Sequence, residues 1–67
     1  MMKLVINGAE HELDGVQTIA DVVAHYGLTG KPLVVEAGGA VLTAEQWASA
    51  AVHPHMQIEL VHFVGGG

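Results

Sequence analysis

The residues best suited to chemistry stand at the end of the chain, Gly65-Gly66-Gly67. Three glycines bury no side chain, and fixing each one costs about 1–2 kcal/mol of backbone entropy. Because they lack Cβ atoms, they form a segment thin enough to enter a narrow channel and carry the carboxylate of Gly67 into an enclosed site. An α-carboxyl has a pKa of roughly 3.3–3.7, so this anion is unreactive at neutral pH and must be activated. On the glycines alone, a frayed terminus or a cloning scar is the simpler explanation.

Side-chain chemistry has fewer candidates. The sequence contains no cysteine, which removes disulfides, thiolate metal sites and thiol nucleophiles together. No Ser-His-Asp or paired-carboxylate arrangement is identifiable, so we expect no catalytic residue. Among five histidines, His53 and His55 form the only close pair, and Pro54 between them favours a turn. We expect no metal site, and we place His25 on a helix surface and His62 at a sheet end.

Length and charge limit the classes of function. Sixty-seven residues allow one small core and no separate substrate cleft. A formal charge of −5 disfavours nucleic acid, because it repels a phosphate backbone. The sequence lacks a membrane-spanning run and a signal-peptide pattern, so we expect no membrane association and a cytoplasmic location.

The elements that must position the tail begin with a hairpin. Residues 2–7 and 9–13 alternate in polarity, with Met2, Leu4 and Ile6 on the predicted buried face. Between them, Asn7-Gly8 favours a tight turn, since both residues tolerate positive φ.

A helix is predicted after the hairpin, over residues 19–26. Thr18 is a suitable N-cap, and Asp21 completes an acidic variant of the capping box. Apolar residues follow at helical spacing, and Gly27 stands where a left-handed C-cap is usual.

The second half predicts three strands and a helical turn. Valine-rich residues 32–37 and the short stretch 40–42 flank a turn at Gly38-Gly39. Thr43 with Gln46 forms a second possible capping box, opening a turn whose Trp47 is expected to close one end of the core. Residues 57–63 alternate again and predict the last strand.

This order predicts an α+β fold, a mixed sheet with one main helix packed on one face. A crossover through the helix lets the last strand lie parallel beside the first. Periodicity alone does not specify the strand order.

The sequence resembles the ThiS-type sulfur carriers of bacterial thiamine biosynthesis along nearly its whole length. The resemblance lies in the ending, residues 58–67, and in five earlier segments: Val5-Ile6-Asn7-Gly8, Thr18-Ile19-Ala20-Asp21, Tyr26-Gly27-Leu28, Leu33-Val34-Val35-Glu36-Ala37 and Leu42-Thr43-Ala44-Glu45-Gln46-Trp47. It implies a ubiquitin-like β-grasp fold, with a domain over residues 1–64 and a flexible reactive tail over residues 65–67. Two segments depart from the family: Gly38-Gly39 stands where Asn-Gly is common, and His53-Pro54-His55-Met56 replaces a turn built on Asp-Gly-Asp.

The resemblance also implies a chemistry for Gly67. A ThiF-like adenylating enzyme would use ATP and Mg to convert the carboxylate into an acyl-adenylate, and sulfur from a persulfide donor would then displace AMP. The resulting thiocarboxylate would supply sulfur to a ThiG-like thiazole synthase. The chain itself would bind no cofactor, and Gly65 and Gly66 would thread the partner's active site.

The alternation of the last strand predicts a docking surface. If Ile58 and Leu60 face the helix, Val61 and Phe63 face the opposite, open side of the sheet. In a β-grasp arrangement the last strand lies between the first strand and residues 33–37, so Val5 and Val34 are expected to extend this apolar surface.

Other functions stay open at this point. One alternative hypothesis is that the chain feeds sulfur to molybdopterin or to another sulfur-containing metabolite. Two further classes are a ubiquitin-like modifier joined to target lysines and an ordinary β-grasp binding module with an inert tail. These hypotheses differ in the fate of Gly67: a thiocarboxylate, an isopeptide or no reaction.

Overall fold

The computed structural model describes residues 1–63. Five strands and two helices alternate along this part of the chain: β1 (Met2–Ile6), β2 (Ala9–Leu13), α1 (Ile19–His25), β3 (Leu33–Ala37), β4 (Ala40–Leu42), α2 (Ala44–Trp47) and β5 (Gln57–His62). Every predicted element is present, with bounds that differ by one residue at most. None of the helices in residues 1–63 is both long and apolar enough to cross a membrane.

The five strands form one mixed sheet in the order β2-β1-β5-β3-β4. β5 lies parallel to β1 and antiparallel to β3, so the last strand is central. This confirms the predicted crossover, in which α1 carries the chain across one face of the sheet before β3.

The turn between β1 and β2 follows its predicted chemistry. Asn7 has φ 51° and Gly8 has φ 81°, a pair of left-handed residues whose twist matches that of the two strands. β1 and β2 then pair from Ile6 opposite Ala9 to Met2 opposite Leu13.

Helix α1 is fixed at both ends by local hydrogen bonds. The Asp21 N–H donates to Thr18 Oγ1 at 3.3 Å, and the Thr18 N–H donates to Asp21 Oδ2 at 3.0 Å, which completes the predicted capping box. Tyr26 is the C-cap and not the last helical residue, and Gly27 follows with φ 68°.

The core lies between α1 and one face of the sheet. Burying each large aliphatic side chain there contributes about 1.5–3 kcal/mol. Those with essentially no exposed surface come from four elements: Leu4, Ile19, Val22, Val23, Val35 and Ile58. Trp47 packs against this cluster from α2, and its indole N–H donates to the Leu42 carbonyl at 3.2 Å, as expected of a residue that closes the core.

The opposite face of the sheet has no helix across it among the described residues. The approach to β5 crosses a turn at residues 54–55, where His55 adopts φ 67°, a conformation that favours glycine. This is the segment that departs from the glycine-containing turn of the resembling family.

Candidate functional site: the end of the last strand

The candidate site lies where β5 leaves the sheet toward the end of the chain. Side chains of β5 alternate between the faces as predicted. Ile58 is 1% exposed and Leu60 packs against the core, whereas Val61 and Phe63 are 48% and 52% exposed. β5 therefore presents an apolar surface on the open face just before the glycines.

Val34, Val61 and Phe63 form an apolar patch on this open face. Val34 lies directly opposite Val61 in the register of β3 and β5. The Phe63 N–H donates to the Pro32 carbonyl at 3.1 Å, which extends the pairing by one residue beyond β5. The backbone beneath the patch is thus held by β3 as far as the structure is described.

Val5 lies on the same face but at a different height. It pairs with Gln57, at the start of β5, and the position of Glu59 separates it from Val61. The spacing along the strand is roughly 13 Å for four residues. The structure thus brings Val34, Val61 and Phe63 together and leaves Val5 apart from them.

On its other edge, the end of β5 is held by a side chain and not by a strand. The Leu60 N–H donates to Asn7 Oδ1 at 2.8 Å, and Asn7 Nδ2 donates to the Leu60 carbonyl at 3.2 Å. The two residues are 53 positions apart. Sequence reasoning gave Asn7 a role in the turn alone, and the only available signal was the Asn-Gly pair itself.

Behind this edge, on the helix side, lies an open groove of about 480 Å³. Its lining includes Ile6, His11, Tyr26, Leu60 and His62. The rings of His11 and Tyr26 meet edge to face with centroids 6.1 Å apart, and burial raises the pKa of the Tyr26 hydroxyl. Tyr26 and His62 are both exposed, so the groove is shallow.

The centre of the open face is acidic. Glu36 on β3 lies directly opposite Glu59 on β5. Within residues 1–63 the only ion pair joins the N-terminal amine to Asp14 at 3.6 Å, so neither glutamate has a cationic partner there. The apolar patch is consequently bordered by uncompensated negative charge.

No metal centre is assembled within residues 1–63, where no three histidine or acidic side chains come close enough to hold an ion. His53 and His55 are exposed in the turn before β5, and His53 Nδ1 lies 3.1 Å from the Pro54 carbonyl oxygen. His25 is exposed on α1 and His62 at the end of β5, where both were predicted.

Gly65, Gly66 and Gly67 lie outside the described residues, as does Val64. The predicted flexibility of this tail and the boundary after residue 64 are therefore left untested. The last residue that the structure describes is Phe63, whose backbone is hydrogen-bonded to Pro32.

The strand order, the parallel β1–β5 pair and the single crossing helix define a ubiquitin-like β-grasp domain. Comparison with known families then gives a specific assignment. The model of the ThiS family matches residues 4–67, and the chain belongs to this family.

Curated relatives are of two kinds. The sulfur carrier protein ThiS of Bacillus subtilis is 38% identical over 50 residues, covering 75% of this chain and 76% of that protein. A thiazole synthase of Paramagnetospirillum magneticum is 32% identical over 66 residues, which is 98% of this chain and 20% of the synthase. The chain thus spans about a fifth of the length of the thiazole synthases it matches.

Solved structures agree with the fold. The crystal structure of the thiamine biosynthesis protein ThiS from Geobacter metallireducens superimposes with a TM-score of 0.76 at 28% identity, covering 98% of this chain and all of that one. The solution structure of a thiamine biosynthesis protein from the same organism gives a TM-score of 0.80 at 26% identity, covering 98% and 88% of the two chains.

Proposed function

We propose that this chain is a sulfur carrier of thiamine biosynthesis whose working group is the carboxylate of Gly67. The observation that carries the proposal is the apolar patch of Val34, Val61 and Phe63 at the point where β5 gives way to the glycines. Membership of the ThiS family and the likeness to the Bacillus subtilis sulfur carrier support it.

The proposed reaction activates the carboxylate in a partner enzyme. A carboxylate oxygen of Gly67 attacks the α-phosphate of Mg-bound ATP, and pyrophosphate leaves. The terminal sulfur of a persulfide then attacks the acyl carbon, and AMP leaves. A thiol reduces the resulting acyl disulfide, which releases the thiocarboxylate and forms a disulfide between the two thiol sulfurs.

This chain supplies geometry to that reaction and no catalytic side chain. The adenylating enzyme brings ATP and Mg, and the carrier brings a thin tail, Gly65-Gly66-Gly67, which follows β5 in the sequence. The apolar patch lies at the base of the tail, so docking there sets how far the carboxylate reaches. Positioning of this kind is worth several kcal/mol in an enclosed site.

The proposed acceptor of the sulfur is a thiazole synthase. Two proteins of that name, from Paramagnetospirillum magneticum and Magnetococcus marinus, match 98% of this chain over only a fifth of their own lengths. A carrier-like segment within proteins of that name supports a thiazole synthase as the protein that consumes the thiocarboxylate.

Intact mass of the protein isolated from its native cells tests the proposal. We expect a gain equal to the exchange of one oxygen for sulfur, localised to Gly67. An isopeptide bond between Gly67 and a target lysine would instead establish a ubiquitin-like modifier. An unmodified Gly67, under conditions that require thiamine synthesis, would leave a binding module with an inert tail.

Deletion of Gly67 provides the first mutational prediction. We expect removal of Gly67, or addition of one residue after it, to abolish sulfur loading, because the carboxylate must stand at one fixed distance from the domain. Gly66→Val should act in the same way by widening the tail. The measurement is thiocarboxylate yield with the cognate adenylating enzyme, alongside a thermal melt; normal yield from a folded variant would contradict the prediction.

A further inference from the structure

β1 pairs with β5 only as far as Ile58. β1 pairs with β5 through Val5 opposite Gln57 and Ile6 opposite Ile58, and the chain then turns into the hairpin at Asn7. From Leu60 onward, β5 runs past the end of β1. Without a substitute, the Leu60 N–H and carbonyl on this edge would have no strand beside them.

Asn7 provides that substitute from within the turn. Its backbone N–H donates to the Ile58 carbonyl at 2.9 Å, and its amide both accepts from the Leu60 N–H and donates to the Leu60 carbonyl. One residue therefore makes three hydrogen bonds to β5. The side-chain amide copies the donor and acceptor of a peptide group and extends the β1 edge by one more step.

Two requirements meet at this position, and asparagine satisfies both. The backbone has φ 51°, which asparagine, aspartate and glycine tolerate better than other residues. The side chain must donate and accept at the same time, which glycine cannot do and an ionised aspartate can do only in part. A residue needed only for the turn would not need the amide.

We propose that Asn7 is a positioning residue for the reactive tail, holding the end of β5 from the β1 side while β3 holds it from the other. This inference rests on the proposed function, since it concerns the delivery of Gly67. In its absence β5 beyond Ile58 is held on one edge alone. Without the Asn7 amide, we expect the direction of the end of β5 to vary. The patch then still docks on the enzyme, but the carboxylate of Gly67 reaches the reacting atoms less often.

The test uses two variants with a matched control. Asn7→Gly keeps the turn and removes the amide, whereas Asn7→Asp keeps an acceptor for the Leu60 N–H and loses the donor. Thr18→Ala removes the side-chain N-cap of α1 and so destabilises the helix without touching β5. It serves as the control for reduced stability alone.

Steady-state kinetics with the cognate adenylating enzyme provide the first readout, with the carrier as the varied substrate. We expect Asn7→Gly to lower kcat about tenfold with KM within about twofold, because docking is retained and the productive tail geometry is lost. The kcat of Asn7→Asp should lie between that of Asn7→Gly and that of the wild type. Thr18→Ala should retain wild-type kcat at a temperature where all the variants are folded. A kcat for Asn7→Gly equal to that of Thr18→Ala would overturn the proposal.

Amide hydrogen exchange provides a second readout that needs no enzyme. Asn7→Gly should accelerate exchange of the Leu60 amide about tenfold or more relative to amides of α1, because its hydrogen-bond acceptor is gone. Thr18→Ala should not single out Leu60. Unchanged Leu60 exchange in Asn7→Gly would refute the positioning role, whereas a wild-type carrier that is never adenylated would refute the proposed function instead.

Discussion

Asp21 shows how a single residue is tuned by its local contacts. Its carboxylate accepts from the backbone N–H groups of Gln17 at 2.9 Å and Thr18 at 3.0 Å. These hydrogen bonds hold the pKa of Asp21 below its usual value of 3.8, because they favour the ionised form. The hydrogen bond from Gln17 has the largest effect. A carboxyl whose pKa is lower in the folded state adds stability above its unfolded pKa and loses it as the pH falls through the folded value.

We therefore expect the stability advantage of the wild type over Asp21→Asn to be full at neutral pH. It should shrink as the pH falls below 3.8, because the wild-type side chain becomes neutral as well. Urea unfolding of both proteins at neutral and strongly acidic pH measures this. Glu10→Gln, which removes one charge from an exposed strand residue, is the control. A difference that is constant across the pH range would contradict the assignment.

Asp21 also shows which side-chain contacts can be predicted from the sequence. The capping box joins Thr18 to Asp21, three positions away, so its residue types and spacing are readable in the chain. Asn7 and Leu60 are joined across 53 positions. That contact depends on where β5 runs past β1, which no local pattern contains.

At the scale of the strands, one cross-strand pair lowers the stability of the sheet. Glu36 and Glu59 face each other across β3 and β5, and like charges placed directly opposite are destabilising. Glu59→Gln should raise the free energy of unfolding by about 0.2–1 kcal/mol at low salt. The gain should decrease as salt screens the repulsion.

Glu12→Gln is the matched control, because Glu12 lies opposite Lys3 in the pair of β1 and β2. Lys3 and Glu12 form no ion pair, so Glu12→Gln removes only the longer-range attraction between opposite charges and should lower the free energy of unfolding slightly. Urea unfolding at two salt concentrations measures both variants. Loss of stability in Glu59→Gln would show that this glutamate is compensated by contacts other than those described.

The register of the strands explains why the sequence predicted the face of each apolar residue but not the separation of Val5 from the patch. Polarity alternation assigns each side chain to a face, and it placed Val5, Val34, Val61 and Phe63 on the open face correctly. Height along the sheet depends on register, and the pairing of Val5 with Gln57 is not encoded in alternation. Val34 reached the patch because β3 is antiparallel to β5 and pairs with its later half.

For the whole molecule, the decisive question is whether the apolar patch is where partners dock. Phe63 is 52% exposed, so Phe63→Ala should change the free energy of unfolding by no more than about 0.5 kcal/mol. If Phe63 anchors the complexes proposed above, its truncation should weaken binding to the proposed adenylating enzyme and to the proposed thiazole synthase by about 2 kcal/mol each.

Binding titrations with both partners, together with a thermal melt, measure this prediction. Val41→Ala is the control, since Val41 is 62% exposed on the same face but on the edge strand β4. Its affinity for the partners should match the wild type. Equal affinities for Phe63→Ala and the wild type would reject the docking role, and a collapsed melting temperature would mean that Phe63 supports the core.

The parallel pairing of β1 and β5 has a practical consequence for handling the protein. Two adjacent strands that run the same way start at one end of the sheet and finish at the other, so Met1 and Phe63 lie toward opposite ends. A fluorophore, a biotin or a bead attached through Met1 would lie at the end of the sheet opposite Val61 and Phe63. Single-molecule and surface-capture experiments can therefore hold the protein by its first residue and leave the apolar patch free to meet a partner in solution.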